Sequence, residues 1–130
     1  MVFSRMFASR EEQVPVPWKK LTEPNDLEAA EQQSYERPVL IFKHSTRCSI
    51  SSMSLDRFER SFSSDAPFEV YFLDLITHRE ISNLIAEKFG IRHESPQVIL
   101  IKEGKPFYDT SHMAINYKEL AMEANKMVGN

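Results

Sequence analysis

Apolar positions in this chain fall into short blocks separated by polar, proline-containing punctuation, and the period changes from block to block. Val39-Leu40-Ile41-Phe42 is a continuous apolar run of β-branched and bulky residues, short enough to be a strand buried on both faces. From Cys48 onward the pattern turns helical, with Leu55, Phe58 and Phe62 at spacings of three and four. After Ser63-Ser64-Asp65-Ala66-Pro67, the segment Phe68–Leu75 reads as a second strong strand. Ile81, Leu84, Ile85 and Phe89 then mark a helix that Thr77 and Glu80 would open as a capping box and Gly90 would end. Pro96 precedes a strand at Gln97–Lys102, and Glu103-Gly104-Lys105 predicts a tight turn into a short strand over Phe107–Asp109. Tyr117, Leu120, Ala121, Ala124 and Val128 line one side of a final helix.

The amino-terminal third is quieter. Residues 1 to about 16 read as a mobile arm or an added short helix, closed by Val14-Pro15-Val16-Pro17, and the compact domain as 17–130. Trp18–Leu21 suits a short strand, and Asn25 with Glu28 suggests a capping box opening a helix that runs to about Tyr35. The predicted order is β-α-β-α-β-α-β-β-α. Such alternation argues for a parallel central sheet covered by helices, with the closing hairpin as an antiparallel edge. The Phe58 and Phe62 stripe reads as core, and the methionines, mainly in helices, read as core filler.

Composition narrows the function. A chain of 130 residues fits one domain. Its formal net charge of −3 argues against sequence-independent nucleic-acid binding, which needs a concentrated basic patch. No apolar run is long enough for a membrane-spanning helix, and residues 1–13 lack the apolar block of a secretory signal. One cysteine forms no internal disulfide, which points to a reducing compartment, the cytoplasm. Four histidines (His44, His78, His93 and His112) without paired spacing, and without further cysteines, argue against a metal site.

That cysteine, Cys48, stands where a buried strand gives way through His44-Ser45-Thr46 to an amphipathic helix. Ligands of open α/β sheets bind at the carboxyl ends of strands. A thiol at a helix start meets unpaired backbone N–H groups and the positive end of the helix dipole. Both favour the thiolate, the reactive species, and Arg47 and nearby Lys43 would add to the effect. The competing reading is a small buried hydrophobe.

The residues around Cys48 carry a resemblance. Phe42-Lys43-His44-Ser45-Thr46-x-Cys48, Ile50-Ser51, Ser95-Pro96-Gln97 and Ser111-His112 resemble the monothiol bacilliredoxins, the YtxJ-like family of the thioredoxin-fold superfamily, over roughly residues 18–128. The resemblance implies an α/β, thioredoxin-like three-layer sandwich with a central mixed β-sheet flanked by helices. It also implies a cis peptide bond at Ser95-Pro96, presenting the Ser95 backbone to an extended substrate. By the same resemblance Cys48 is the catalytic thiol and bacillithiol the thiol co-substrate, with no bound cofactor. The partners are bacillithiol and S-bacillithiolated proteins, with no nucleic acid and no membrane. Thr46, Arg47, Ser49, Ser51, Ser95 and Pro96 are the candidates for tuning the thiolate or positioning the substrate. Lys43, His44 and His112 are candidate ligand contacts, since bacillithiol carries a pair of malate carboxylates.

Three of these positions have competing roles. Ser51 either donates a hydrogen bond to the thiolate or is an ordinary first-turn serine. Lys43 is a solvated or partly buried strand-end residue, or contacts the anionic ligand. His44 packs at the strand end or orients the turn. The family usually has proline directly after the cysteine, where this chain has Ser49. With Ser51 at the resolving position, Cys48 needs an outside thiol for release. The alternatives to a disulfide reductase are an iron–sulfur carrier and a non-catalytic adaptor. The Cys-Gly-Phe-Ser pattern of the carriers fits Cys48-Ser49-Ile50-Ser51 poorly.

Overall fold

A computed structural model describes residues 14–128, so the expected arm or helix over the first residues lies mostly outside the described part. The elements are β1 (Lys19–Lys20), α1 (Pro24–Gln33), β2 (Val39–His44), α2 (Ser49–Ser61), β3 (Glu69–Asp74), α3 (Arg79–Phe89), β4 (Gln97–Lys102), β5 (Lys105–Ser111), a short 3-10 turn (His112–Ala114) and α4 (Tyr117–Val128). They occur in the order expected from the pattern of apolar positions.

The five strands form one sheet in the order β1-β3-β2-β4-β5. β2 is central, and its residues 39–42 are fully buried, as a continuous apolar run requires. Strand alternation divides the core into two layers. Val39, Ile41, Leu73, Ile99 and Ile101 face Leu27 and Ala30 of α1 and Ile81, Ile85 and Phe89 of α3. Leu40, Phe42, Val70, Val98 and Leu100 face Phe58 of α2 and Leu120 and Ala124 of α4. A helix pair on each face of a mixed sheet is the three-layer sandwich.

One strand runs against expectation. β1, β3 and β2 are parallel, but β4 is antiparallel to β2, so the antiparallel half of the sheet begins one strand before the hairpin. The cause is the segment after Gly90, which carries the chain to the carboxyl end of β2, where Gln97 pairs with Lys43, before β4 begins.

The helix starts differ too. α1 begins at Pro24, whose missing N–H costs nothing at a first helical position. The carboxylate there is Asp26, not Glu28: it accepts from Thr22 N, Thr22 Oγ1 and Glu23 N, and these bonds hold it below the usual carboxylate range. The Thr77–Glu80 box is also replaced. Thr77 Oγ1 donates to Asp74 Oδ2 at 3.0 Å and Ile76 N to Asp74 Oδ1 at 3.1 Å, so the strand-end aspartate closes the turn and α3 starts at Arg79.

The β4–β5 turn places Glu103 and Gly104 at φ +52° and +75°, both left-handed, as tight hairpins demand. Gly104→Ala should therefore cost about 1–2 kcal/mol in a denaturant titration, from backbone strain alone. The nearest neighbour of an added Cβ, the Tyr35 hydroxyl at 3.0 Å, belongs to an exposed side chain that can move aside.

The described methionines are not core filler. Met53, Met113, Met122 and Met127 are all exposed, while the core is built from branched aliphatic and aromatic side chains.

Candidate active site

The central strand β2 ends at His44, at the carboxyl end of the parallel strands, and Ser45, Thr46 and Arg47 turn the chain into α2. Cys48 occupies the N-cap position with extended backbone (φ −118°, ψ 119°), partly exposed and making no capping hydrogen bond with its side chain. Thr46, Arg47 and Ser49 on either side are exposed. A sulfur at this position adjoins the first-turn N–H groups, which lack intrahelical partners.

The turn is held from inside by Ser51. Its hydroxyl is fully buried, accepts from Ser45 N at 3.0 Å and lies 2.8 Å from His44 Nδ1. Burial lowers the pKa of His44, against the opposing pull of Asp74 and Glu59. Ser51 thus bonds the turn and His44 and makes no bond to Cys48. His44 joins β2 to α2 through that hydroxyl, its ring also packing on Phe72 with centroids 5.6 Å apart.

The Ser95-Pro96 bond is cis and immediately precedes Gln97, the residue beside Lys43 in the ladder. This segment is tied to the cysteine-bearing helix through His112. His112 N donates to Pro96 O at 2.9 Å, and Ser54 Oγ of α2 donates to His112 O at 3.1 Å. Arg57 adds bonds to Met113 O and Ile115 O. His112 has a left-handed φ of +56°, and its Nε2 lies 3.4 Å from Glu94 Oε1. The Ser95 hydroxyl is buried without a hydrogen-bond partner among the described residues.

Lys43 departs from both readings given to it. It is completely buried, on the sheet face that carries α1 and α3, as its two-residue spacing from Val39 and Ile41 dictates. Its ammonium lies 2.7 Å from His93 Nδ1 and donates to Gln97 Oε1 at 3.0 Å. It is neither a solvated strand-end residue nor a contact for a ligand at Cys48. Burial lowers its pKa to about 8, with Glu94 pulling the other way.

Ile50, which the family motif includes without a role of its own, and Met53 are exposed apolar residues in the first turns of α2, and Met113 is exposed in the strap held by Ser54 and Arg57. The helical period contained the signal: positions 50 and 53 fall outside the buried Ser51, Ser54 and Phe58 face. Glu94, next to Ser95, had no distinguishing pattern. Among the described residues no cluster of histidine, cysteine and carboxylate side chains suits a metal ion, and no helix is long and apolar enough to cross a membrane.

A thiol at a helix start beside a strand end, with a cis proline leading into the neighbouring antiparallel strand, defines the thioredoxin-fold class of oxidoreductases. Solved structures agree. The chain superposes on a protein described as a candidate oxidoreductase with a thioredoxin fold (TM-score 0.68, 32% identity, covering 79% of this chain and 89% of that one). Thioredoxins from Trypanosoma brucei brucei (TM-score 0.69, 10% identity, 90% and 96% covered) and Malassezia sympodialis (0.67, 17%, 87% and 93%) share the fold. Residues 19–120 match the family model described as monothiol bacilliredoxin BrxC, and the chain belongs to that family.

Proposed function

We propose that this protein removes bacillithiol from S-bacillithiolated proteins by monothiol exchange in a reducing compartment, the cytoplasm. The observation that carries the reading is the pairing of a partly exposed Cys48 at the N-cap with a buried serine three residues on. The first is a nucleophile; the second cannot resolve a disulfide.

The Cys48 thiolate attacks the bacillithiol sulfur of a protein–bacillithiol disulfide. The old S–S bond breaks, the substrate's thiolate leaves and takes a proton from water, and a Cys48–bacillithiol disulfide forms. A second bacillithiol thiolate then attacks the bacillithiol sulfur of that adduct, releasing Cys48 and oxidised bacillithiol. At the N-cap the sulfur adjoins first-turn amides without intrahelical partners, both as it attacks and as it leaves. The cis Ser95-Pro96 segment supplies backbone for an extended substrate, and Ile50, Met53 and Met113 supply apolar surface for the protein carrying it.

The test is a protein substrate carrying one bacillithiol on a single cysteine, mixed with a stoichiometric amount of the enzyme. Free substrate thiol should appear with bacillithiol transferred to Cys48. Substrate left fully modified while Cys48 remains alkylatable would overturn the proposal.

A further inference from the structure

Lys43 presents a problem that the exchange chemistry does not use: a wholly buried cation on the sheet face opposite the cysteine-bearing helix. Taking an ammonium out of water is costly unless it is well bonded. Its partners are specific. Gln97 Oε1 accepts from Lys43 at 3.0 Å, and His93 Nδ1 lies 2.7 Å away. Gln97 in turn donates from Nε2 to Arg92 O at 3.0 Å, and its Oε1 also faces Glu94 N at 3.4 Å. Ser82 Oγ of α3 lies 3.3 Å from His93 Nδ1. Every one of these contacts lands on, or immediately beside, the six residues that link Gly90 to β4 and contain Ser95-Pro96.

We infer that Lys43 is a positioning residue for the exchange site, acting through His93 and Gln97 to fix the Ser95-Pro96 segment from behind the sheet, and that this clamp holds only while His93 is uncharged. The inference rests on the exchange reading above, and it adds the residue that sets the substrate-facing segment and the condition under which it does so. An ammonium has donors and no acceptor, so His93 must offer an unprotonated Nδ1. Protonating His93 places two cations in contact and removes that acceptor. The charged groups facing His93 are Lys43 from β2, Arg79 from α3 and Glu94 from its own loop, with His112 across from Glu94. Burial first, then Lys43 and Arg79, lower the pKa of His93, while Glu94 opposes them. Because the folded value is depressed, the clamp is intact above the ordinary imidazole value of about 6.5 and is lost as pH falls through the lower folded value. Lys43 itself donates in either protonation state, so its titration near pH 8 does not open the clamp.

The test compares two rates on the same protein between about pH 5 and about pH 8, the range in which histidine charge changes. One is bacillithiol transfer from a modified protein; the other is alkylation of Cys48 by iodoacetamide, a small reagent that needs no positioning segment. Their ratio cancels the thiolate fraction. In the wild type the ratio should fall several-fold in acid. His93→Gln keeps an acceptor without a titrating ring and should flatten that fall. Lys43→Met, which removes the buried charge but keeps the apolar stem, should lower the ratio about tenfold at neutral pH while still unfolding in one cooperative melt. A His93→Gln ratio that still follows the wild type, or a Lys43→Met ratio equal to the wild type, would overturn the inference. Deuterium uptake by residues 91–96 gives a readout independent of exchange chemistry. Faster uptake in a fully folded Lys43→Met supports the clamp, and unchanged uptake contradicts it, even if no bacillithiol is transferred and the exchange reading itself fails.

Discussion

Cys48→Ser is expected to abolish bacillithiol transfer while leaving the fold intact or slightly more stable. The two effects have one cause. Cys48 occupies the N-cap, where serine is among the preferred residues because its oxygen accepts from the first-turn amides. Cys48 makes no such capping bond, so the thiol forgoes roughly 1 kcal/mol of helix capping that serine would supply. In the proposed exchange those amides instead adjoin the reacting sulfur. Transfer measured by mass spectrometry should fall below detection, and the denaturation midpoint should hold or rise. Residual transfer would remove Cys48 from the reaction, and a large loss of stability would mean that the thiol serves the core.

Ser51→Cys is expected to change the class of chemistry. Residues 48 and 51 stand three apart at a helix start, a spacing compatible with the Cα separation of about 4.4–6.8 Å that a disulfide requires. On oxidation, the mutant should lose two hydrogens per monomer, show no free thiol and remain monomeric. After reaction with a bacillithiolated substrate it should carry no lasting adduct, because the new thiol expels bacillithiol. Reduced, it should be destabilised by about 1–3 kcal/mol, since the buried Ser45 N–H loses its acceptor and His44 its hydroxyl partner. A persistent adduct, or dimers in place of an internal bond, would show that the two positions do not meet.

Elements that depend on local pattern were legible in the sequence. The run Val39–Phe42 could satisfy its apolar side chains only between two layers, and the 3.6 period of α2 and α3 fixed which side each helix buries. Cys48 was legible for the same reason: strand, polar turn and helix meet there in ten residues.

What escaped depended on partners far along the chain. Lys43 follows an apolar run and looks like the point where the strand surfaces. Its burial is tolerable only because His93 and Gln97, about fifty residues on, bring acceptors to it. The direction of β4 was hidden in the same way, since strand alternation says nothing about which end of β2 the connecting loop reaches. Ser51 was visible as the serine of a Cys-x-x-Ser motif. Its bonds to His44 and Ser45 were not, because a hydroxyl at that position has the thiol and the preceding turn within equal sequence reach. The described methionines were misplaced by the rule that helical methionines fill cores, although the helical period already put Met53 on the outer face.

The most direct measurement is the intact mass of the reduced protein after incubation with oxidised bacillithiol, followed by peptide mapping. One bacillithiol per chain, on Cys48 and removed by added bacillithiol, is the result expected of a monothiol exchange site. A protein that stays unmodified, while its thiol remains free to alkylation, would contradict the account at its centre.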